Sequence, residues 1–222
     1  MVFQRKVLLV EGSSDQHVIQ NLWRSHHGEP PPFEIEVRHG LTNLREAFAG
    51  YLLGSEVERL GVIVDADEEV EKRWPSFYQA FQVHGYKPVP KMPMAEGTVL
   101  HRPERSVPWV GVWLMPDNAS PGKLEDFIRF LVPEGDGLWA HAESVLDALP
   151  ADLVRFKPVH RAKAHVHTWL AWQPEPGIRM GQAITRFLDP QAPHAIRLVE
   201  WLRRVIIADP DDLAADAASS TP

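Results

Sequence analysis

Acidic residues stand at three places where an apolar stretch stops. Val7–Val10 gives way to Glu11-Gly12, with Asp15 four residues after Glu11. Leu60–Val64 gives way to Asp65-Ala66-Asp67-Glu68-Glu69. Trp109–Leu114 gives way to Met115-Pro116-Asp117, with Glu125 further along. In extended chain, Asp65 and Asp67 point the same way, about 6.5–7 Å apart along the strand. Two carboxylates held that close repel unless something positive lies between them. A divalent cation such as Mg²⁺ suits the place, because it takes oxygen ligands and keeps some of its waters. Each piece also has a plainer alternative. Acids after a strand are ordinary turn residues and N-caps, Asp15 can simply complement a helix dipole, and Glu125 can sit in an exposed first turn.

The elements that would position these acids are legible in the periodicity. Lys6–Val10, Phe33–Val37, Leu60–Val64, Val99–His101 and Trp109–Leu114 have the short apolar or alternating pattern of strands. Helical spacing runs through Asp15–His26, with Ser14 as its N-cap, and through Thr42–Leu53 and Val70–His84. Pro121-Gly122 opens a helix carrying Leu124, Phe127, Ile128 and Leu131, and Leu138–Leu149 follows. Beyond Pro150 the pattern is helical only, over Ala162–Trp172, Met180–Leu188 and His194–Ala208. Strands alternating with helices predict an α/β fold, a mostly parallel Rossmann-like sheet flanked by helices, with a helical C-terminal extension. In such sheets ligands gather at the carboxyl ends of the strands, where the acids are. The expected organisation is an α/β domain over 1–150, a helical segment over 151–208 packed on it, and a flexible acidic tail over 209–222.

Composition narrows the chemistry. The 222 residues include no cysteine, which excludes disulfides, thiolate zinc sites, iron–sulfur clusters and cysteine nucleophiles. No apolar run approaches a membrane span, and the start of the chain does not read as a secretory leader, so a cytoplasmic protein with no membrane partner is expected. The net charge of −7 is unlike that of a passive nucleic-acid coat. That average conceals an asymmetry, since Arg155–Arg204 holds nine bases against three acids. There is no P-loop, no G-x-G-x-x-G after a strand and no G-x-S-x-G elbow.

VEGSSD (Val10–Asp15), followed about fifty residues later by VDADEE (Val64–Glu69), resembles a Toprim domain, the module shared by topoisomerases, bacterial-type primases, small RNases and OLD-family nucleases. The resemblance covers residues 5–132 best. MPDNASPGKLEDF (Met115–Phe127) is similar to a motif of a small stand-alone Toprim-like group, DUF3226-like in character. The Toprim hallmarks are a glutamate after the first strand and Asp-x-Asp after a later one, around Mg²⁺. They fall here on Glu11 and on Asp65 with Asp67. Asp15 corresponds to the acid often found just beyond the glutamate in OLD-like members. The third acid of a fuller pattern falls on Glu69, a departure.

The resemblance implies divalent-metal-dependent phosphodiester hydrolysis on DNA or RNA. A pair of ions about 3.5–4 Å apart can activate water and stabilise the leaving oxygen. Glu11, Asp15, Asp65, Asp67, Asp117 and Glu125 are the candidate ligands, too many for one Mg²⁺ or Mn²⁺ and suited to two. OLD-like relatives also imply a downstream lysine acting on the reacting phosphate. Lys163 is the candidate, with a solvated helix residue as its alternative. Arg161, Lys163 and His165, with His167, would form a basic face for the phosphate backbone. His165-x-His167 has poor spacing for zinc on a helix. The chain lacks the spare domain and nucleophilic tyrosine of a topoisomerase and the further apparatus of a primase. Two alternatives stay open: a non-cleaving metal- or nucleic-acid-binding partner subunit, and a small-molecule phosphohydrolase. A partner ATPase, as in some relatives, is allowed. Trp139, Trp169, Trp172 and Trp201 suit either core or a homodimer face.

Overall fold

Five short segments assemble into one sheet, the apolar central ones burying both of their faces. In the computed structural model, which describes residues 5–53, 56–102 and 108–208, these are β1 (Arg5–Val10), β2 (Glu34–Val37), β3 (Val57–Asp65), β4 (Thr98–Leu100) and β5 (Trp109–Met115). Their order is β2-β1-β3-β5-β4. All neighbours are parallel except β4, which runs antiparallel to β5 at the edge. β1, β3 and β5 read as near-continuous apolar runs because helices cover both sides of a parallel sheet. The 209–222 tail lies outside the described residues.

The helices are α1 (Ser13–His27), α2 (Leu41–Leu53), α3 (Val70–Val83), α4 (Leu124–Arg129), α5 (Gly137–Asp147), α6 (Arg161–Ala171), α7 (Met180–Ala183) and α8 (Pro193–Ile206). A single 3₁₀ turn, Pro158–His160, leads into α6. On one side of the sheet Leu9, Val62 and Val112 pack under α2 and α3 with Phe48, Trp74, Phe77 and Phe81. On the other, Leu8, Ile63 and Trp113 join side chains of α1, α4, α6 and α8 in one cluster. Residues 161–206 therefore share a core with the sheet.

Glycine explains how closely α8 docks. Gly61 and Gly111 are register partners on β3 and β5. A Cβ on Gly111 would lie 2.1 Å from Val205 Cγ2 and 3.1 Å from Trp201 Nε1, so only glycine lets that helix reach the sheet. Trp201 then donates from Nε1 to the Thr98 carbonyl at 3.2 Å, which satisfies its one polar atom in the core.

Two predicted helices differ in detail. The N-cap of α1 is Gly12 rather than Ser14, and the helix begins at Ser13. The helix expected over 180–188 is only the single turn of α7. The Ala183 carbonyl then accepts from both Phe187 and Leu188, and the Asp189 N–H bonds the Leu131 carbonyl, so the chain turns off the helical path. Among the described residues, no helix is long and apolar enough to cross a membrane.

Candidate active site

The sheet order sets β1 directly beside β3, so Glu11 and Asp65, each at the end of its strand, become neighbours. The Asp65 N–H donates to Glu11 Oε1 at 3.1 Å. The Leu124 N–H, at the start of α4, donates to Asp65 Oδ1 at 3.1 Å. Asp15, buried in the first turn of α1, accepts from the Gly12 N–H through Oδ2 at 3.0 Å, half of a capping box. Glu11, Asp15 and Asp65 thus each have one oxygen fixed by a main-chain N–H. Glu125, buried in the first turn of α4, completes the group. All four line one cavity of about 600 Å³ at the carboxyl end of the sheet.

Electrostatics make the crowding explicit. Burial pushes the Asp65 carboxyl up to about 8; the charges of Asp15, Glu11 and Glu125 add to the rise and Lys123 opposes it. Burial also pushes Asp15 up to about 6, offset by its main-chain hydrogen bonds and raised further by Glu11 and Glu125. Glu11 is raised by burial too, against the Asp65 N–H and the charges of Arg73 and Lys123. A site built this way favours an added positive charge, whether a proton or a metal ion. Its donors are all carboxylate oxygens, the set Mg²⁺ and Mn²⁺ take. The chemistry fits a divalent cation. No three acid or histidine side chains among the described residues already converge as ligands on one point.

A family described as "Protein of unknown function (DUF3226)" matches residues 5–207. The chain belongs to the DUF3226 family. No curated protein and no solved structure matches it.

The DUF3226 site departs from the sequence reading at four residues. Asp67 does not continue the extended strand from Asp65. It takes the left-handed conformation (φ 56°), which an aspartate tolerates. Its N–H and C=O pair reciprocally with Gly122 at 2.9 and 2.7 Å. Extended geometry ends at Asp65, so the shared direction expected for the two carboxylates is lost. Asp67 still lines the cavity, but its carboxylate is paired with Arg73 and with Lys123 Nζ, the latter at 2.6 Å.

Asp117 does not join the acids. Its Oδ1 accepts from the N–H groups of Ala119 and Ser120 at 3.0 and 2.7 Å, and its Oδ2 from the Ser120 hydroxyl at 3.1 Å. Burial works against its charge, but these bonds outweigh that and hold it below the usual carboxylate range, helped by His194.

On α6, Lys163 lines the cavity. Arg161 instead pairs with Asp147 at 2.5 Å. His165 is buried, its ring 3.9 Å from that of Trp139 and its Nε2 bonded to the Trp139 carbonyl at 3.0 Å. The expected basic face is therefore divided. Sequence reasoning missed Arg73 and Lys123. Lys123 lies inside the quoted MPDNASPGKLEDF segment, where its charge between runs of acids was the available signal. Burial opposes its charge, but Asp67, Asp65 and Glu125 prevail and raise its pKa.

Proposed function

We propose that this protein is a divalent-cation-dependent phosphodiesterase that cleaves nucleic acid, a nuclease of Toprim type. The observation that carries the reading is that Glu11, Asp15, Asp65 and Glu125 line one cavity, with burial raising three of them. Carboxylates forced together at such cost are better explained by a cation than by a turn. Mg²⁺ or Mn²⁺, bound there as one ion or a pair, would supply a Lewis acid at the phosphoryl oxygen and a water of lowered pKa.

The chain's own groups have separable tasks. The N–H groups of Asp65, Gly12 and Leu124 each hold one carboxylate oxygen and leave the other for a ligand. That keeps the acids in place before any substrate arrives. Lys163, on the cavity wall, brings a positive charge to the phosphate as negative charge builds on its oxygens, or holds the attacking water. Lys123 and Arg73 pair with the Asp67 carboxylate and balance its charge. The resemblance to Toprim and OLD-like nucleases supports the same reading, with Glu11 and Asp65 at the positions that matter there.

The test is a cleavage assay on supercoiled plasmid, linear DNA and single-stranded RNA, each with Mg²⁺, Mn²⁺ or EDTA, beside Asp65→Ala. Metal-dependent cleavage that the variant lacks is expected. An Asp65→Ala protein cleaving at the wild-type rate would overturn the site. No cleavage of any polymer, with cation binding measured, would move the reading to small phosphoesters.

A further inference from the structure

A second cavity, of about 450 Å³, shares Ser13 and Ser14 with the acid cavity. Its character is opposite. The ionisable residues lining it are His17 on α1, His167 on α6 and Arg179 just before α7, and no carboxylate among the described residues lines it. The acid cavity is lined by seven carboxylates, including Glu68 and Asp126. The frame of the second cavity is closely packed where α7 meets α1. A Cβ on Gly181 would lie 2.7–2.8 Å from the Cβ and backbone of His17. That contact presses α7 against α1 and sets the separation of Arg179 from His17. Leu170, Ile178 and Met180 give the cavity an apolar floor.

We infer that the second cavity receives a phosphate neighbouring the scissile one, so the substrate is a phosphodiester chain held by two adjacent sites. The inference rests on the phosphodiesterase reading for the acid cavity. Arginine and histidine are the side chains suited to a phosphate group, arginine through paired N–H donors. A contact of this kind positions a strand without reading its sequence. It also answers the net charge of −7. A chain that repels nucleic acid overall needs a local basic pocket beside its acids, and one carrying only the acid cavity would suit a lone small phosphoester. Lys163 and His167 lie on the same helix, one lining each cavity, so α6 spans both sites.

The test reads binding apart from cleavage. Fluorescein-labelled oligothymidylate and oligouridylate are titrated with wild type, Arg179→Glu, His167→Glu and Arg179→Lys by fluorescence anisotropy, in EDTA and again in Ca²⁺. The two oligomers separate DNA from RNA. Arg179→Glu is expected to weaken binding about tenfold or more, the loss of one charged hydrogen bond, and His167→Glu to weaken it in the same direction. In Arg179→Glu, loss of one phosphate contact should also lower the slope of log affinity against log salt by about 0.7. A fold defect alone would not change that slope. Arg179→Lys should recover part of the affinity. On hydrolysis, the loss on oligonucleotides should exceed the loss on bis(p-nitrophenyl) phosphate, which has a single phosphate. Unchanged affinity and slope in both glutamate variants, or no binding by wild type in either condition, overturns the inference. Weakened binding without hydrolysis of any substrate would keep this pocket and remove the phosphodiesterase reading. Hydrolysis with unaltered variants would do the reverse.

Discussion

Two strand ends carry the same sequence signal and meet opposite fates. β3 ends in Asp65 and β5 runs into Asp117, and the two strands are adjacent. Asp65 has one anchored oxygen, three acidic neighbours and a buried setting, and its carboxyl is pushed up to about 8. Asp117 is supplied with two N–H donors and a hydroxyl by its own turn, and is held below the usual range. The difference lies in donor supply. An acid whose turn provides its hydrogen bonds is already complete, whereas one packed against other acids favours an added positive charge, a proton or a cation.

The widest separation of the two ends should appear in catalysis. Asp65→Asn keeps an oxygen for the Leu124 N–H but removes the charge. It should lower metal-dependent hydrolysis by more than about a hundredfold, since removing even an outer-shell partner of a metal costs about 10–100-fold. Asp117→Asn keeps an acceptor for the Ala119 and Ser120 N–H groups, and Asp117 does not line the acid cavity, so hydrolysis should stay within about threefold of wild type. Initial rates on a labelled oligonucleotide at saturating Mn²⁺ check both. Equal losses would return Asp117 to the metal set and erase the contrast.

A smaller effect compares Lys163 with Arg161 on the same helix. Lys163→Ala should reduce turnover by about tenfold to a hundredfold, below the ceiling of general acid–base and charge effects at a reacting group. Cation affinity should change far less. Arg161→Ala removes only an exposed ion pair with Asp147 and should leave turnover unchanged, at a stability cost below about 1 kcal/mol. Turnover measured beside calorimetric Mn²⁺ titration separates the two roles. Equal loss of turnover and metal affinity in Lys163→Ala would make that residue a structural support.

How far the sequence carries follows from the same physics. The α/β alternation, the strand-end positions of Glu11 and Asp65, and the approach of Asp15 and Glu125 to them are consequences of local periodicity plus the rule that ligands gather at strand ends, whereas Lys163 is reached only through the resemblance to OLD-like nucleases. Asp67 was misplaced because one left-handed residue reverses the direction that extended geometry assigns, and nothing in Asp-Ala-Asp marks it. Lys123 was missed because it reaches Asp67 from the loop before α4, a tertiary approach with no local period, and Arg73 because the left-handed turn at Asp67 is what brings the two within reach six residues apart. His165 was read as basic surface, yet its ring packs on Trp139, twenty-six residues earlier in the chain. The α8 docking rests on Gly61 and Gly111, whose role becomes visible only when the helix is in place.

The smallest effects should be in stability, with opposite signs at the two ends. A buried carboxyl whose folded pKa is raised binds its proton more tightly folded than unfolded. The metal-free protein should therefore lose stability as pH rises from about 4, where unfolded aspartate ionises, to about 8, where folded Asp65 does. Asp65→Asn removes that penalty and should raise the melting temperature of the metal-free form at pH 8. Asp117, with its lowered pKa, contributes stability above pH 4 that is lost as pH falls through its folded value. Asp117→Ala should cost about 1 kcal/mol at neutral pH through its lost turn hydrogen bonds. Thermal melts in EDTA between pH 4 and 9 check both arms. Added Mg²⁺ should raise the melting temperature of wild type more at pH 8 than at pH 5, because at pH 5 protons compete for the same oxygens. A cation effect that ignores pH, or one that survives in Asp65→Asn, would mean the four acids are not where the ion binds.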